Sequence, residues 1–311
     1  MINSGKCNAG AVKVAERLSG YTDIVRGRAR ARFLAADLAE KTRSASELAS
    51  PCRLCVRKCG ADRKGGGTGV CGVLESRVSS EFLHYGEEPE LVPSHTIFFA
   101  GCTFKCVFCQ NFDISQAPAH GVSIRPASLA DRVVRGGGIN VNWVGGDPTS
   151  NLEYILQVMT ELKKRDINLA QVWNSNMYMT EEAMAVLDGV IDVYLSDFKY
   201  GNDRCARRLS KVDRYFEVVS RNHRLAAGQC EILLRHLVMP GHVECCTKPV
   251  MDWVAANIPN ERLRVNVMDQ YHPDYQVLEE KGKYPELGRR PKMQECLEAF
   301  EHARKLGLDL V

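Results

Sequence analysis

The chain lacks any apolar stretch long enough to cross a bilayer, and its first residues show no basic segment leading into an apolar run of the secretory kind. Neither a membrane-spanning nor an exported protein is expected; a cytoplasmic one is. A dominant charge is missing too: 41 Lys and Arg against 38 Asp and Glu leave a net charge of +3. So small an excess makes no general field for a polyanion and argues against a nucleic-acid partner. The run Arg26, Arg28, Arg30, Arg32 is the local exception. A spacing of two does not align on one helical face, so a scattered, solvated surface is preferred to an anion site. Tandem repeats of fixed period and low-complexity segments are also lacking, which removes repeat architectures from consideration. Hydrophobic residues at 45% and charged residues at 25% suit an ordinary soluble globular protein.

What the chain has in quantity is cysteine, 13 in 311 residues. A reducing compartment disfavours structural disulfides, so grouped cysteines there point to metal. One group, Cys52, Cys55, Cys59 and Cys71, reads C-x2-C-x3-C-x11-C inside the glycine-rich, basic stretch "PCRLCVRKCGADRKGGGTGVCG". Four closely spaced thiols imply one metal site, either zinc or an auxiliary [4Fe–4S] cluster. The second group, Cys102, Cys106 and Cys109, reads C-x3-C-x2-C in "GCTFKCVFCQN". Cys7, Cys205, Cys230, Cys245, Cys246 and Cys296 are isolated or vicinal. Buried free thiols are expected there, and the adjacent pair Cys245–Cys246 is not expected to share a useful geometry.

Residues 1–50 read as N-terminal helices, with "AGAVKVAERL" and "ARFLAADLAEKT" carrying apolar positions at helical spacing. Residues 51–92 form the cysteine knuckle and a linker. From 93 to 311 the rhythm changes. Short runs rich in β-branched and aromatic residues ("TIFFAG", "NVNWVGG", "LAQVWNSN", "DVYLSDF", "EILLRHLVM", "LRVNVMD") alternate with amphipathic stretches. Leu152 to Arg165, with Leu152, Ile155, Leu156, Met159 and Leu162 on one face, is the clearest helix, and acidic residues after Thr180 mark the start of another. Six β/α units imply an α/β fold with a parallel sheet, a partial (β/α)6 TIM-type barrel whose site lies at the C-terminal strand ends.

Cys102 directly follows the first of these strands, so its loop is placed at the mouth of the sheet. Three thiolates there suit a [4Fe–4S] cluster that leaves one iron for an exogenous ligand. Zinc completed by a remote residue, or a set of buried thiols, are the alternatives. Zinc fits less well, because its structural sites are normally closed by four protein ligands and no second cysteine pair lies close downstream.

The motif at that position resembles the radical S-adenosylmethionine (radical SAM) superfamily. The resemblance implies that Cys102, Cys106 and Cys109 bind the cluster and that SAM chelates the unique iron. Reductive cleavage of SAM then supplies a 5′-deoxyadenosyl radical that abstracts hydrogen from substrate. It puts Phe108 against the adenine and the Gly145-Gly146-Asp147-Pro148 turn, with Asp for the commoner Glu, at the SAM amino group. Further positions are similar to the glycyl-radical activating enzymes, with pyruvate formate-lyase activating enzyme as type member. Asn174 and Asn176 fall at the end of strand three, Asp197 and Lys199 at the end of strand four, and Arg235 on strand five, all implied to position SAM. The chain departs from that group at Gln110, where the group has His, and at Asn174, where it has Asp. It shares the knuckle and the "GEEPEL" run with an activating-enzyme-like subgroup.

The resemblance implies an oxygen-sensitive oxidoreductase that takes hydrogen from a peptide or protein, with a flavodoxin- or ferredoxin-type electron donor as partner and no protein general base. A small molecule or a nucleic-acid base is the second substrate class. A non-enzymatic metal-binding module would require the strand-end residues to be incidental. "VMDQYHPDY" after the last strand is expected to face the open side of the barrel, as a peptide-binding segment or as a plain solvated loop.

Overall fold

A computed structural model describes residues 18–311. Cys7 and the segment "AGAVKVAERL", apart from its last residue, lie outside the described residues. Seven strands form one sheet in sequence order: β1 (Val78–His84), β2 (Ser94–Phe99), β3 (Asn140–Trp143), β4 (Ala170–Ser175), β5 (Val193–Asp197), β6 (Glu231–Leu237) and β7 (Leu263–Met268). The six strands expected from the sequence are β2 to β7, and all pair in parallel. Burial on both faces is why they read as continuous apolar runs: every residue of β3 is buried, as are five of six in β4.

β1 was not expected. It pairs antiparallel with β2 at the sheet edge, and its alternating burial shows one face packed and one facing outward. Among the described residues no ladder joins β7 back to β1, so the barrel is open. The loop 85–93, between β1 and β2, enters at the N-terminal strand ends and spans that gap with side chains. Glu87 accepts from Asn142 on β3, Glu88 accepts from Asn266 on β7, and Glu90 pairs with Arg264 on β7.

Helices cover the outside. Leu152–Lys164 agrees closely with the amphipathic stretch read from the sequence, and Thr180 caps Glu181–Leu187 by accepting from the Ala183 N–H at 3.3 Å. The stretch "ARFLAADLAEKT" is not one helix. A 3-10 turn at Arg32–Leu34 gives way to Leu38–Ala49, because the Asp37 carboxylate accepts from the Glu40 N–H and starts a new helix there. That helix packs on Leu152–Lys164, and its buried Leu38, Ala45 and Leu48 join the barrel in one continuous core. The basic run is dispersed among carboxylates of different elements: Arg28 on Asp23, Arg30 on Asp166, Arg32 on Asp188.

Candidate functional site

The loops at the C-terminal ends of β2 to β7 surround a cavity of about 500 Å³. Cys102, Cys106 and Cys109 line it, as do Phe108, Gly145, Gly146, Asn174, Asn176, Asp197, Lys199 and Arg235. Residues read from five separate stretches of sequence thus meet on one wall. Asp147 does not reach the cavity. It is buried beneath the turn after β3, where its carboxylate accepts from the Thr149 N–H at 2.9 Å and from the Asn176 N–H and Ser175 hydroxyl at 3.1 Å. Burial pushes its carboxyl up even against those donors.

The glycines of that turn are already required by a neighbour within the protein. A Cβ at Gly145 would lie 2.3 Å from the Phe99 nitrogen, and one at Gly146 would lie 2.2 Å from the Gly101 carbonyl oxygen. Close approach is demanded by the backbone leading into the cysteine loop, before any ligand is considered.

Each of the three sulfurs is held. Cys102 Sγ accepts from the Phe104 N–H at 3.3 Å, Cys106 Sγ lies 2.9 Å from Ser210 Oγ, and Cys109 Sγ lies 3.1 Å from Ser115 Oγ. The loop backbone is fastened to the C-terminal turn of the helix Asp203–Ser210, with Lys105 and Val107 N–H groups donating to the Ser210 and Leu209 carbonyls at 3.0 and 2.9 Å. Asn176 braces the same loop by donating to Thr103 Oγ1 at 2.9 Å.

Three thiols so placed fit a metal cluster. Burial pushes Cys106 up to about 12, with the neighbouring Cys109 adding to it. Burial likewise raises Cys102, followed by the charges of Asp147, Cys106 and Cys109. Three adjoining thiolates in such a site need a cationic centre to be stable, and the cavity beyond them has the size of a pocket for a cofactor-sized ligand.

Charge in the rest of the cavity is paired. Lys199 Nζ bonds Asp197. Burial alone would lower this lysine, but the Asp197 carboxylate outweighs it and holds the ammonium above the usual range. Arg235 donates from Nε to Glu88 at 2.7 Å and also pairs with Glu87, both from the loop 85–93. Burial would raise the Glu88 carboxyl; the arginine reverses the sign and holds it low. In the sequence the Glu87–Glu88 pair stands out only as part of "GEEPEL". The end of β7 and the segment after it fold onto the cysteine loop: Met268 and Gln270 line the cavity, Tyr271 meets Phe108 edge-to-face at 5.8 Å, and Phe112 stacks on Tyr275 at 4.9 Å.

The N-terminal cysteines Cys52, Cys55, Cys59 and Cys71 face one narrow cleft. Burial pushes Cys55 up to about 12, and Cys71 and Cys52 add to it. A Cβ at Gly69 would lie 2.3 Å from Cys59 Sγ, so glycine is required for the chain to close over that sulfur. The knuckle packs on the barrel mouth. Arg57 donates to the Thr103 carbonyl at 2.8 Å, Thr180 N–H donates to Leu54 O at 3.1 Å, and a Cβ at Gly101 would meet Cys71 O at 2.9 Å.

Comparison with known proteins agrees with this arrangement. The signature of the Radical SAM superfamily matches residues 96–254. The protein MJ0674 of Methanocaldococcus jannaschii is 47% identical over 279 residues, covering 87% of this chain and 79% of that one. Pyruvate formate-lyase 1-activating enzyme of Escherichia coli is 24% identical over 152 residues, 46% of this chain and 60% of the enzyme. A radical SAM methyltransferase from Sphaerobacter thermophilus has the same fold, with a TM-score of 0.50 at 13% identity over 70% of this chain and 65% of its own. With the signature spanning the strands that carry the three cysteines and the strand-end polar residues, the chain belongs to the radical SAM superfamily.

Proposed function

We propose that this protein reductively cleaves S-adenosylmethionine and takes a hydrogen atom from a peptide or protein, in the manner of the glycyl-radical activating enzymes. The observation that carries the reading is the convergence of three thiols, two of them buried, and the polar residues at the ends of β4 to β6 on one cavity. The distant similarity to pyruvate formate-lyase 1-activating enzyme supports the choice of substrate class. In this reading Cys102, Cys106 and Cys109 hold a [4Fe–4S] cluster. When bound with SAM and supplied with an electron, that cluster provides the 5′-deoxyadenosyl radical that abstracts hydrogen.

The chain's own residues bind, orient and shield. Phe108 offers its ring to the adenine. Gly145, Gly146, Asn174 and Asn176 present backbone and amide groups, and Lys199 presents its charge. Asp197 pairs with Lys199, Arg235 holds Glu87 and Glu88 at the wall, and Asp147 positions the turn from beneath. No side chain acts as a general base in hydrogen abstraction. Cys52, Cys55, Cys59 and Cys71 hold one further centre, zinc or [4Fe–4S], that metal analysis distinguishes.

Anaerobic reconstitution should add about four irons on the C-x3-C-x2-C loop, lost in Cys106→Ala. The reduced protein should release 5′-deoxyadenosine and methionine from SAM. Peptides deuterated at glycine Cα should pass deuterium into the 5′-deoxyadenosine. A folded, iron-loaded protein that leaves SAM intact sinks the reading, and deuterium transfer only from small metabolites sinks its substrate class.

A further inference from the structure

Cys205, His242, Cys245 and Cys246 come together in the structure. The sequence suggests unrelated buried thiols, but their ligating atoms all lie within 4.8 Å of one another. Among the described residues no other group of cysteine, histidine and carboxylate ligands is drawn so close. His242 Nδ1 is 3.6 Å from Cys205 Sγ, 3.3 Å from Cys245 Sγ and 3.7 Å from Cys246 Sγ. Cys245 Sγ is 3.8 Å from both Cys205 Sγ and Cys246 Sγ.

Those are the edges of a small tetrahedron. A zinc ion with sulfur at about 2.3 Å and nitrogen at about 2.0–2.1 Å has S–S edges of about 3.8 Å and S–N edges of about 3.6 Å. A cubane cluster, with one thiolate on each of several irons, needs sulfurs set much farther apart. We propose that these four residues bind a single zinc ion in a closed Cys3His site.

Local structure explains how adjacent cysteines serve one ion. His242 precedes a π-helical turn, Val243–Thr247, and residues three and four places on lie over it on one helical face. The fourth ligand comes from the first turn of the helix Asp203–Ser210. Asn202 fixes that turn by accepting from the Cys205 N–H at 2.9 Å, and it reaches across to donate to the Cys245 carbonyl at 2.7 Å. The other imidazole nitrogen of His242 faces Glu286 Oε1 at 3.7 Å, a carboxylate placed to orient the ring with Nδ1 toward the ion. Cys205, His242 and Cys246 are buried and Cys245 is partly so, which leaves four protein ligands and no open position. Such a site is structural. It staples the loop after β5 to the loop after β6, at the opposite end of the helix whose last carbonyls hold the cysteine loop.

The assignment does not depend on the radical chemistry, and its readout is metal content. The full chain should carry zinc, counted by inductively coupled plasma mass spectrometry. Cys246→Ser should lose one equivalent, while Cys52→Ser with Cys55→Ser should leave that equivalent in place. In the Cys52→Ser, Cys55→Ser background, His242→Cys should keep it, and zinc-edge X-ray absorption should then change from three sulfurs and one nitrogen to four sulfurs. That variant and the wild-type spectrum guard against a Cys246→Ser protein that fails to fold. A wild-type chain without zinc, zinc that follows only the N-terminal cysteines, or iron held in its place overturns the proposal.

Discussion

Arg235 has one guanidinium for two carboxylates, Glu87 and Glu88, and all three side chains are largely withdrawn from water. Removing the cation leaves two like charges facing each other in a low-dielectric site. Loss of one partner from a buried pair costs about 3–5 kcal/mol. Arg235→Met is expected to lose stability in that range in urea unfolding at neutral pH, and adding Glu87→Gln and Glu88→Gln should restore most of it. A single variant as stable as the wild type would show that the carboxylates find another cation.

His223 gives a pH-dependent test at the same scale. It is buried, with Nε2 against Ser196 Oγ at 2.9 Å and Nδ1 against the Val219 carbonyl at 2.8 Å, and burial lowers it to about 4. The unfolded ring takes a proton near 6.5 while the folded ring does not. Stability is therefore full above pH 6.5 and is lost as pH falls toward 4, by on the order of 3 kcal/mol over that span. His223→Gln should flatten this part of the pH profile relative to wild type. An unchanged slope would mean the folded ring accepts its proton at the ordinary pH.

At the scale of elements, the turn after β3 and the turn after β2 are in backbone contact. Gly146→Ala would drive a methyl group into the Gly101 carbonyl, so the cysteine loop must shift. The expected result is a loss of about 1–3 kcal/mol, as for other overpacked sites, with reduced iron loading on reconstitution. Wild-type loading and melting temperature together would refute it.

The same elements show what can be read without coordinates. β2 to β7 are legible because burial on both faces writes itself as short apolar runs, and Thr180 is legible because capping chemistry is local. β1 is not. An edge strand with one face outward, "VSSEFLH", carries too few apolar residues to stand out from the linker around it. The three-cysteine loop at the cavity is readable from its spacing. The pairing of Arg235 with Glu87 and Glu88 is not, since it joins residues 148 and 147 apart across an open lumen. His242, Cys245 and Cys246 do carry a local signal, a histidine with cysteines three and four places on. Cys205, 37 residues upstream of the histidine, needs the fold to bring it there.

Across the whole molecule, the N-terminal knuckle acts as a brace over the barrel mouth. It bonds the loops after β2 and β4 through Arg57 and Leu54, and Arg63 donates to the Ser150 carbonyl after β3 at 2.7 Å. The metal proposed for the four thiols would give them a common partner, and without it the glycine-rich segment 60–72 should open. Cys52→Ser is expected to raise proteolytic cleavage within that segment by on the order of tenfold, equivalent to about 1.4 kcal/mol of local stability. Equal cleavage rates in mutant and wild type would show that the knuckle holds without a metal.

The loop 85–93 has a consequence of its own. Its carboxylates bridge β3, β6 and β7 inside the lumen and stopper the barrel at the N-terminal end. A vessel stoppered at the bottom fills and empties through its neck. Whatever seats deepest must arrive first and depart last, so the SAM and substrate proposed for this cavity would have to queue, and saturating the outer one should trap the inner.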